Sequence, residues 1–292
     1  MTDSLQTLIR ARDTLLAGLA SCLMCPRACR VNRVKGELGF CRTGRLARVD
    51  SAFLHFGEEE ELVGNGGSGT IFFSYCNLGC VYCQNSSLSC QGQGSETTAE
   101  GLADMMLLLA AQGAENINCV TPTHVTAQIL EALAIARSKG LVAPLVYNCG
   151  GYESIETLSS LEGIFDIYMP DLKYSEPAAA AGFSAAGDYW PIAQAALREM
   201  HRQVGDLVVE GGRAKRGLLV RHLVLPNHIA GSIGALDFLK TLSVHTYVNI
   251  MDQYVPHYRA SQYQELNRPV TAQEYREVIT YARSIGLYRG FA

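Results

Sequence analysis

The sequence predicts an α/β fold in which six strand-and-helix units in succession build a parallel sheet, preceded by a small cysteine-rich N-terminal extension. Three observations carry this. Short apolar runs rich in β-branched and aromatic residues alternate six times with segments of helical period, the pattern of parallel strands joined by right-handed crossovers. A length of 292 residues suits one α/β unit with an attachment better than two equal domains. Seven of the ten cysteines fall into two tight groups, one ahead of the alternation and one at the end of its first strand. The expected units are residues 1–63, a helix and a Cys-rich metal-binding extension, and residues 64–292, the sheet domain.

Taken in order, residues 4–20 carry Leu5, Leu8, Leu15, Leu16 and Leu19 on one imperfect stripe and read as a helix. Residues 45–56 alternate weakly and read as a small hairpin, and the four glutamates Glu58, Glu59, Glu60 and Glu61 read as a solvated turn. The first strand is residues 70–75, punctuated at its start by glycines. A helix over 97–111 follows, with Thr97 and Glu100 at capping-box spacing. The second strand is 115–120, and the next helix is expected to start at Thr121-Pro122, Thr121 as N-cap and Pro122 at the first helical position. Strands over 143–148, 163–169, 217–225 and 246–251 complete the six, with a helix over 191–204 and a last helix entered through Thr271 and Glu274. Residues 174–188 read as an Ala/Gly-rich connection.

Composition weighs against several classes. Hydrophobic residues make up 48% and charged ones 18%, ordinary for a globular chain with a sizeable core. The net charge of −4 lacks the basic excess of a dedicated nucleic-acid binder. No apolar run approaches the roughly 18 residues of a membrane span, and residues 1–10 lack the basic start and apolar centre of a secretory signal. The expectation is a cytoplasmic protein without nucleic-acid or membrane partners. In a reducing compartment, clustered cysteines point to metal ligation more than to disulfides.

The first group, Cys22, Cys25, Cys29 and Cys41, has the spacing C-x2-C-x3-C-x11-C. Thiolates so close repel one another unless a cation compensates them, with Arg30, Arg33 and Lys35 placed to soften the remaining charge. A shell of four cysteines suits zinc and an iron–sulfur cluster alike. The second group, Cys76, Cys80 and Cys83, has the spacing C-x3-C-x2-C on the loop after the first strand, where α/β barrels place their chemistry. Four-iron clusters normally take four thiolates, so three leave one iron open to a ligand. A zinc loop is the alternative, although zinc prefers paired C-x2-C units and a fourth ligand.

This triplet, with Tyr82 before its last cysteine, resembles the signature of radical S-adenosylmethionine (SAM) enzymes, whose open partial barrel also has six units. Further motifs resemble the branch labelled pyruvate formate-lyase activating enzyme: the N-terminal cysteines, residues 118–125 with their Val-Thr-Pro-Thr-His-Val core, 166–173, 216–224 and 246–254. The resemblance implies an open partial (β/α)6 barrel. It implies a 4Fe-4S cluster on Cys76, Cys80 and Cys83, with SAM on the open iron and Tyr82 packed near the adenine. It further implies reductive cleavage of SAM and hydrogen abstraction by the resulting 5′-deoxyadenosyl radical. The Gly-Gly-Glu that the family usually presents after the second strand is missing; the helix start at Thr121-Pro122 is expected instead to offer backbone N–H groups to the SAM carboxylate, with Thr123 and His124 adding side-chain contacts, although helix capping explains these residues too. Asp171 and Lys173 match positions that lie near SAM in activating enzymes, a structural Lys–Asp pair being the alternative. Asn148 and Arg221, at strand ends, are expected to reach the cofactor from opposite sides, whereas His257 is expected to be a surface or structural residue.

The expected activity is hydrogen abstraction from a protein or peptide substrate, glycyl-radical installation being the leading case, with a one-electron donor such as flavodoxin or ferredoxin as partner. The alternatives are a radical SAM enzyme acting on a small metabolite, a methyltransferase or metalloprotein maturation factor, and a non-catalytic iron–sulfur electron carrier or metal sensor.

Overall fold

In the computed structural model, residues 3–291 are described; Met1, Thr2 and Ala292, the ends of the two expected units, lie outside the described residues. The first helix, α1 (Asp3–Gly18), buries Leu8, Ala11 and Leu15. The cysteine-rich segment then leads into β1 (Ala47–His55), the single-turn α2 (Glu60–Val63) and β2 (Ser68–Phe73). After β2 come α3 (Ser86–Ser89), β3 (Ser95–Thr97), α4 (Ala99–Ala111), β4 (Ile117–Val120) and α5 (Thr126–Ser138), against which α1 packs. The chain continues through β5 (Leu145–Cys149), α6 (Ile155–Ser160), β6 (Ile167–Pro170), α7 (Pro177–Ser184), α8 (Tyr189–Val204), β7 (Val208–Glu210) and β8 (Arg213–Leu223). It ends with α9 (Ser232–Leu242), β9 (Tyr247–Met251) and α10 (Ala272–Ser284).

Six of these strands, β2, β4, β5, β6, β8 and β9, pair in parallel in that order. They are the six expected units, and the sheet curls as an open partial barrel. Among the described residues β9 makes ladder pairs only with β8, and the far edge is formed by antiparallel additions, β1 on β2 and β3 on β1. β1 lies before the expected boundary at residues 63 and 64, so the sheet itself runs across that point. The segment expected as a hairpin is thus one strand, because its apolar residues pair with β2 rather than with each other.

Period-two alternation sorts each parallel strand into two faces. One face packs the helices, with Ile71, Phe73, Cys119 and Tyr147 in the main core. On the other face Val146, Ile167, Met169 and Leu219 form a separate apolar floor, closed by Leu62 of α2. Two residues further along the same face, chemistry replaces packing: Asn148, Asp171 and Arg221 follow Val146, Met169 and Leu219.

Local differences from the expected elements have physical causes. The N-cap of α4 is Thr98, accepting from Gly101 N–H at 3.2 Å, since residues 95–97 are taken up by β3. The Ala/Gly-rich connection contains α7, started by Pro177 at its first turn. Four alanines make it helical, and its low polarity hid it in a sequence read for loops. The last helix has the expected capping box between Thr271 and Glu274.

Candidate active site

The cluster-type loop begins at Tyr75, whose φ of +68° turns the chain sharply out of β2. A bulky residue with positive φ is costly unless its surroundings hold it, and here its N–H donates to Leu88 O at 2.9 Å. The loop is then pinned from three sides. Gly79 N–H donates to Ser184 O at 3.1 Å and Val81 N–H to Phe183 O at 2.8 Å, both in α7. Arg259 N–H reaches Val81 O at 2.8 Å. Arg27, from between the N-terminal cysteines, donates to Asn77 O at 2.9 Å, and Asn77 Nδ2 donates to Tyr152 O at 2.7 Å.

Each thiol of the triplet has a polar neighbour. Leu78 N–H points at Cys76 Sγ from 3.3 Å, Ser184 Oγ donates to Cys80 Sγ at 2.9 Å, and Ser89 Oγ lies 3.0 Å from Cys83 Sγ. Burial pushes all three thiols up, Cys80 to about 11 even though the Lys173 ammonium pulls it the other way. Left to themselves these sulfurs stay protonated; a coordinating cation reverses that, because it deprotonates a thiol outright. Among the described residues no three cysteine, histidine or carboxylate side chains are drawn together tightly enough to hold one metal ion. Ligands of a four-iron cluster are each bound to a different iron.

The triplet opens onto a cavity of about 190 Å³ at the C-terminal ends of the parallel strands. Six of the eight residues expected around SAM line it: Tyr82, Thr121, Asn148, Asp171, Lys173 and Arg221. Tyr82 is buried and meets Tyr254 and Tyr174 edge-on, at ring distances of 5.8 and 6.4 Å. Arg221 Nε donates to Asp171 Oδ1 at 2.8 Å and its Nη2 to Asn148 Oδ1 at 2.8 Å, while Lys173 Nζ donates to Asp171 Oδ2 at 2.7 Å. Burial pushes the Asp171 carboxyl up, but Arg221 and Lys173 together hold it below the usual carboxylate range. Burial works against both cations, and Asp171 more than offsets it, together with Cys80 for Lys173 and with Glu59 and Glu58 for Arg221. Arg221 and Lys173 set two cations beside the cavity, offset by Asp171 between them and by Glu58 beside Arg221, and an anionic carboxylate entering there meets both cations.

Thr123 and His124 are not part of this lining, a correction to the sequence reading. Thr121 has φ +61°, so it cannot serve as the N-cap; a single 3₁₀ turn over Thr123–Val125 follows, and α5 starts only at Thr126. That turn carries Thr123 and His124 behind the sheet. Thr123 Oγ1 donates to Glu153 Oε1 at 2.6 Å. His124 Nε2 lies 2.8 Å from Ser74 O, and burial lowers its pKa to about 4. Both are core residues that support the neighbouring loop.

Other cavity features were missed. Glu58, read as part of a solvated turn, enters the barrel bore, with Oε2 3.6 Å from Arg221 Nη1. Burial raises its pKa to about 7 against the pull of Arg221. Glu59 follows it inward and accepts from Asn249 Nδ2 at 3.1 Å. No local signal separates this inward run from an exposed acidic one. The cavity mouth is lined by Gln253, Val255 and His257 after β9, so His257 belongs to the site and not to the general surface. Gly151, at φ +75°, lets the loops after β5 and β6 touch: a Cβ there would lie 2.5 Å from Asp171 O.

Cys22, Cys25, Cys29 and Cys41 lie together around a second, much smaller cavity of about 10 Å³. Its wall meets the back of the triplet loop through Arg27 and Phe40, the guanidinium stacking 3.8 Å from the ring centroid.

The fold is that of radical SAM enzymes. The chain is similar to a radical SAM methyltransferase from Sphaerobacter thermophilus, at 15% identity over 77% of this chain and 66% of that one, with a TM-score of 0.54. It is also similar to the radical SAM methyltransferase TsrM from Kitasatospora setae, solved with tryptophan and a SAM analogue, at 12% identity over 75% of this chain and 52% of that one, with a TM-score of 0.53. It thus spans less than two thirds of each of these solved chains. In sequence it is 30% identical over 277 residues to "Uncharacterized protein MJ0674" of Methanocaldococcus jannaschii, covering 91% of this chain and 75% of that protein. The chain belongs to the family of that archaeal protein. No protein-family model matches it.

Proposed function

We propose that this protein is a radical SAM enzyme that binds a 4Fe-4S cluster at Cys76, Cys80 and Cys83 and SAM in the adjoining cavity. One observation carries the reading: a three-thiol loop and a buried Arg221–Asp171–Lys173 network face the same cavity at the C-terminal ends of the parallel strands. Bound there, the cluster would supply an open iron and the electron that cleaves the sulfonium of SAM. The protein's part is recognition and shielding. Lys173 and Arg221 offer charge to the methionine carboxylate, Asp171 and Asn148 offer acceptors to its amino group, and Tyr82 with Tyr254 walls the cavity with aromatic surface. Asp171 is already fixed between two cations, so little side-chain ordering remains to be done on binding.

Within this reading the substrate is a polypeptide presenting a glycine, with an external one-electron donor such as flavodoxin or ferredoxin. Support comes from the cavity mouth, where exposed Gln253, Val255 and His257 border the cavity, and from the motif resemblance to activating enzymes. The test uses anaerobically reconstituted, reduced enzyme. The reduced cluster's EPR spectrum should change on adding SAM, and 5′-deoxyadenosine should form; an unchanged spectrum with no product defeats the assignment. A glycine-centred EPR doublet on a co-encoded polypeptide supports the substrate class. Deoxyadenosine formed only with a small metabolite overturns that finer claim alone, and S-adenosylhomocysteine would mark methyl transfer instead.

A further inference from the structure

We propose that Cys22, Cys25, Cys29 and Cys41 form a closed four-thiolate centre for a thiophilic metal, separate from the catalytic triplet and tied to its loop by Arg27. The four thiols come from a segment with little regular structure, yet they wall one cavity. The chain is folded to bring them there: Cys22 N–H donates to Val31 O at 3.0 Å, Arg30 N–H to Cys22 O at 2.9 Å, and Ala28 N–H to Cys25 O at 3.0 Å. Phe40 N–H points at Cys29 Sγ from 3.5 Å.

The independent observation is the charge around this cavity. Arg33 is only 1% exposed, an expensive place for a guanidinium without a counter-charge. Its Nε donates to Gly44 O at 3.0 Å and its Nη1 to His124 O at 2.8 Å, with Cys22 Sγ 3.9 Å from Nη1. Its Nη2 has no partner, and neither does Arg27 Nη2. Both arginines line the cavity. Neutral thiols cannot satisfy them. As they stand no three of these thiols are close enough to hold a single ion, but the ligands of a four-iron cluster each bind a different iron, and such a cluster with its four thiolates carries a net −2, which two guanidiniums match. Metal binding would expel the thiol protons and supply the anion that both arginines lack.

A shell of four cysteines is coordinatively closed, so this centre binds no substrate. Its role lies in its connection. Arg27 sits between Cys25 and Cys29, and donates to Asn77 O in the triplet loop and to Ala185 O beyond α7, at 2.9 and 2.6 Å. Ordering the N-terminal loop around a metal therefore orders the catalytic loop. Iron–sulfur and zinc share this thiolate chemistry, and the experiment separates them.

The test uses the full chain with Cys76, Cys80 and Cys83 replaced by Ala, purified anaerobically, so its outcome does not depend on SAM cleavage. Iron, acid-labile sulfide and zinc are measured per folded chain. About four irons and four sulfides, or about one zinc, supports the centre and names its metal; neither metal in protein with native circular dichroism overturns it. Alkylation footprinting on the same sample needs no further substitution. Cys22, Cys25, Cys29 and Cys41 should label at least about tenfold more slowly with metal than after chelation, and equal rates overturn the ligand assignment. Adding Cys25→Ser should lower the bound metal at least tenfold; unchanged content also refutes it.

Discussion

The two cysteine loops lie back to back and share Arg27, but their surroundings differ in kind. The triplet loop leaves a parallel strand and faces about 190 Å³ of space lined by a buried ion network, whereas the N-terminal loop encloses about 10 Å³. Charge is arranged differently as well. Around the triplet, Arg221 and Lys173 are both engaged by Asp171. Around the N-terminal group, Arg33 and Arg27 retain unpartnered N–H groups. Similar local spacing thus serves two purposes: three thiols beside open space suit a reacting centre, and four thiols closed on themselves suit a centre that holds the chain in place.

The largest expected effect breaks one side of this contrast. Replacing Cys76, Cys80 and Cys83 by Ala should lower 5′-deoxyadenosine formation by at least about 10⁴-fold, roughly 5 kcal/mol in barrier, while the N-terminal centre keeps its metal. Next, Arg221→Met should strand Asp171 with Lys173 alone. Breaking a buried pair costs about 3–5 kcal/mol. The pair keeps side-chain exposures of 19% and 23%, so the lower end, about 3 kcal/mol, is expected in denaturant unfolding, with a KM for SAM raised about tenfold or more. An unchanged KM would separate the network from the cavity's ligand.

A pH measurement sharpens the comparison, because Glu153 follows Tyr152, whose carbonyl holds Asn77 of the triplet loop, and adds its charge to the burial that raises Cys25. Burial pushes Glu153 up to about 7, against hydrogen bonds from Thr123 and Tyr147. With an unfolded value near 4.3, the folded state binds the extra proton between these limits. Stability from this group is therefore greatest below about pH 4.3, falls as pH rises and levels off above about 7, a loss of at most about 4 kcal/mol. Glu153→Gln should flatten that slope; a slope unchanged in urea unfolding from pH 4.5 to 7.5 would show that the carboxyl titrates elsewhere. The smallest effect is expected for Arg27→Ala, about 1–2 kcal/mol from lost hydrogen bonds and stacking. Hydrogen exchange in residues 76–83 should quicken while iron at the triplet is retained, and unaltered exchange would uncouple the two loops.

Much of this was legible in the residues. The six-unit rhythm, the triplet at a strand end and the N-terminal cysteine group follow from hydrophobic period and thiol spacing, both local properties of the chain. Asn148 and Arg221 were read from their places at strand ends, Asp171 and Lys173 only from the motif resemblance, and all four line the cavity. What tertiary structure alone decided depends on contacts between distant segments. β1 became a sheet strand by pairing with β2, and α7 became the clamp on the triplet loop through Ser184 and Phe183. Glu58 went inward because Arg221, far away in sequence, provides its counter-charge. Thr123 and His124 turned away from the cavity because Thr121 adopts a left-handed backbone, which no local propensity of a β-branched residue favours. Spacing along the chain thus determined which groups are available for chemistry, and long-range packing decided which of them share a cavity.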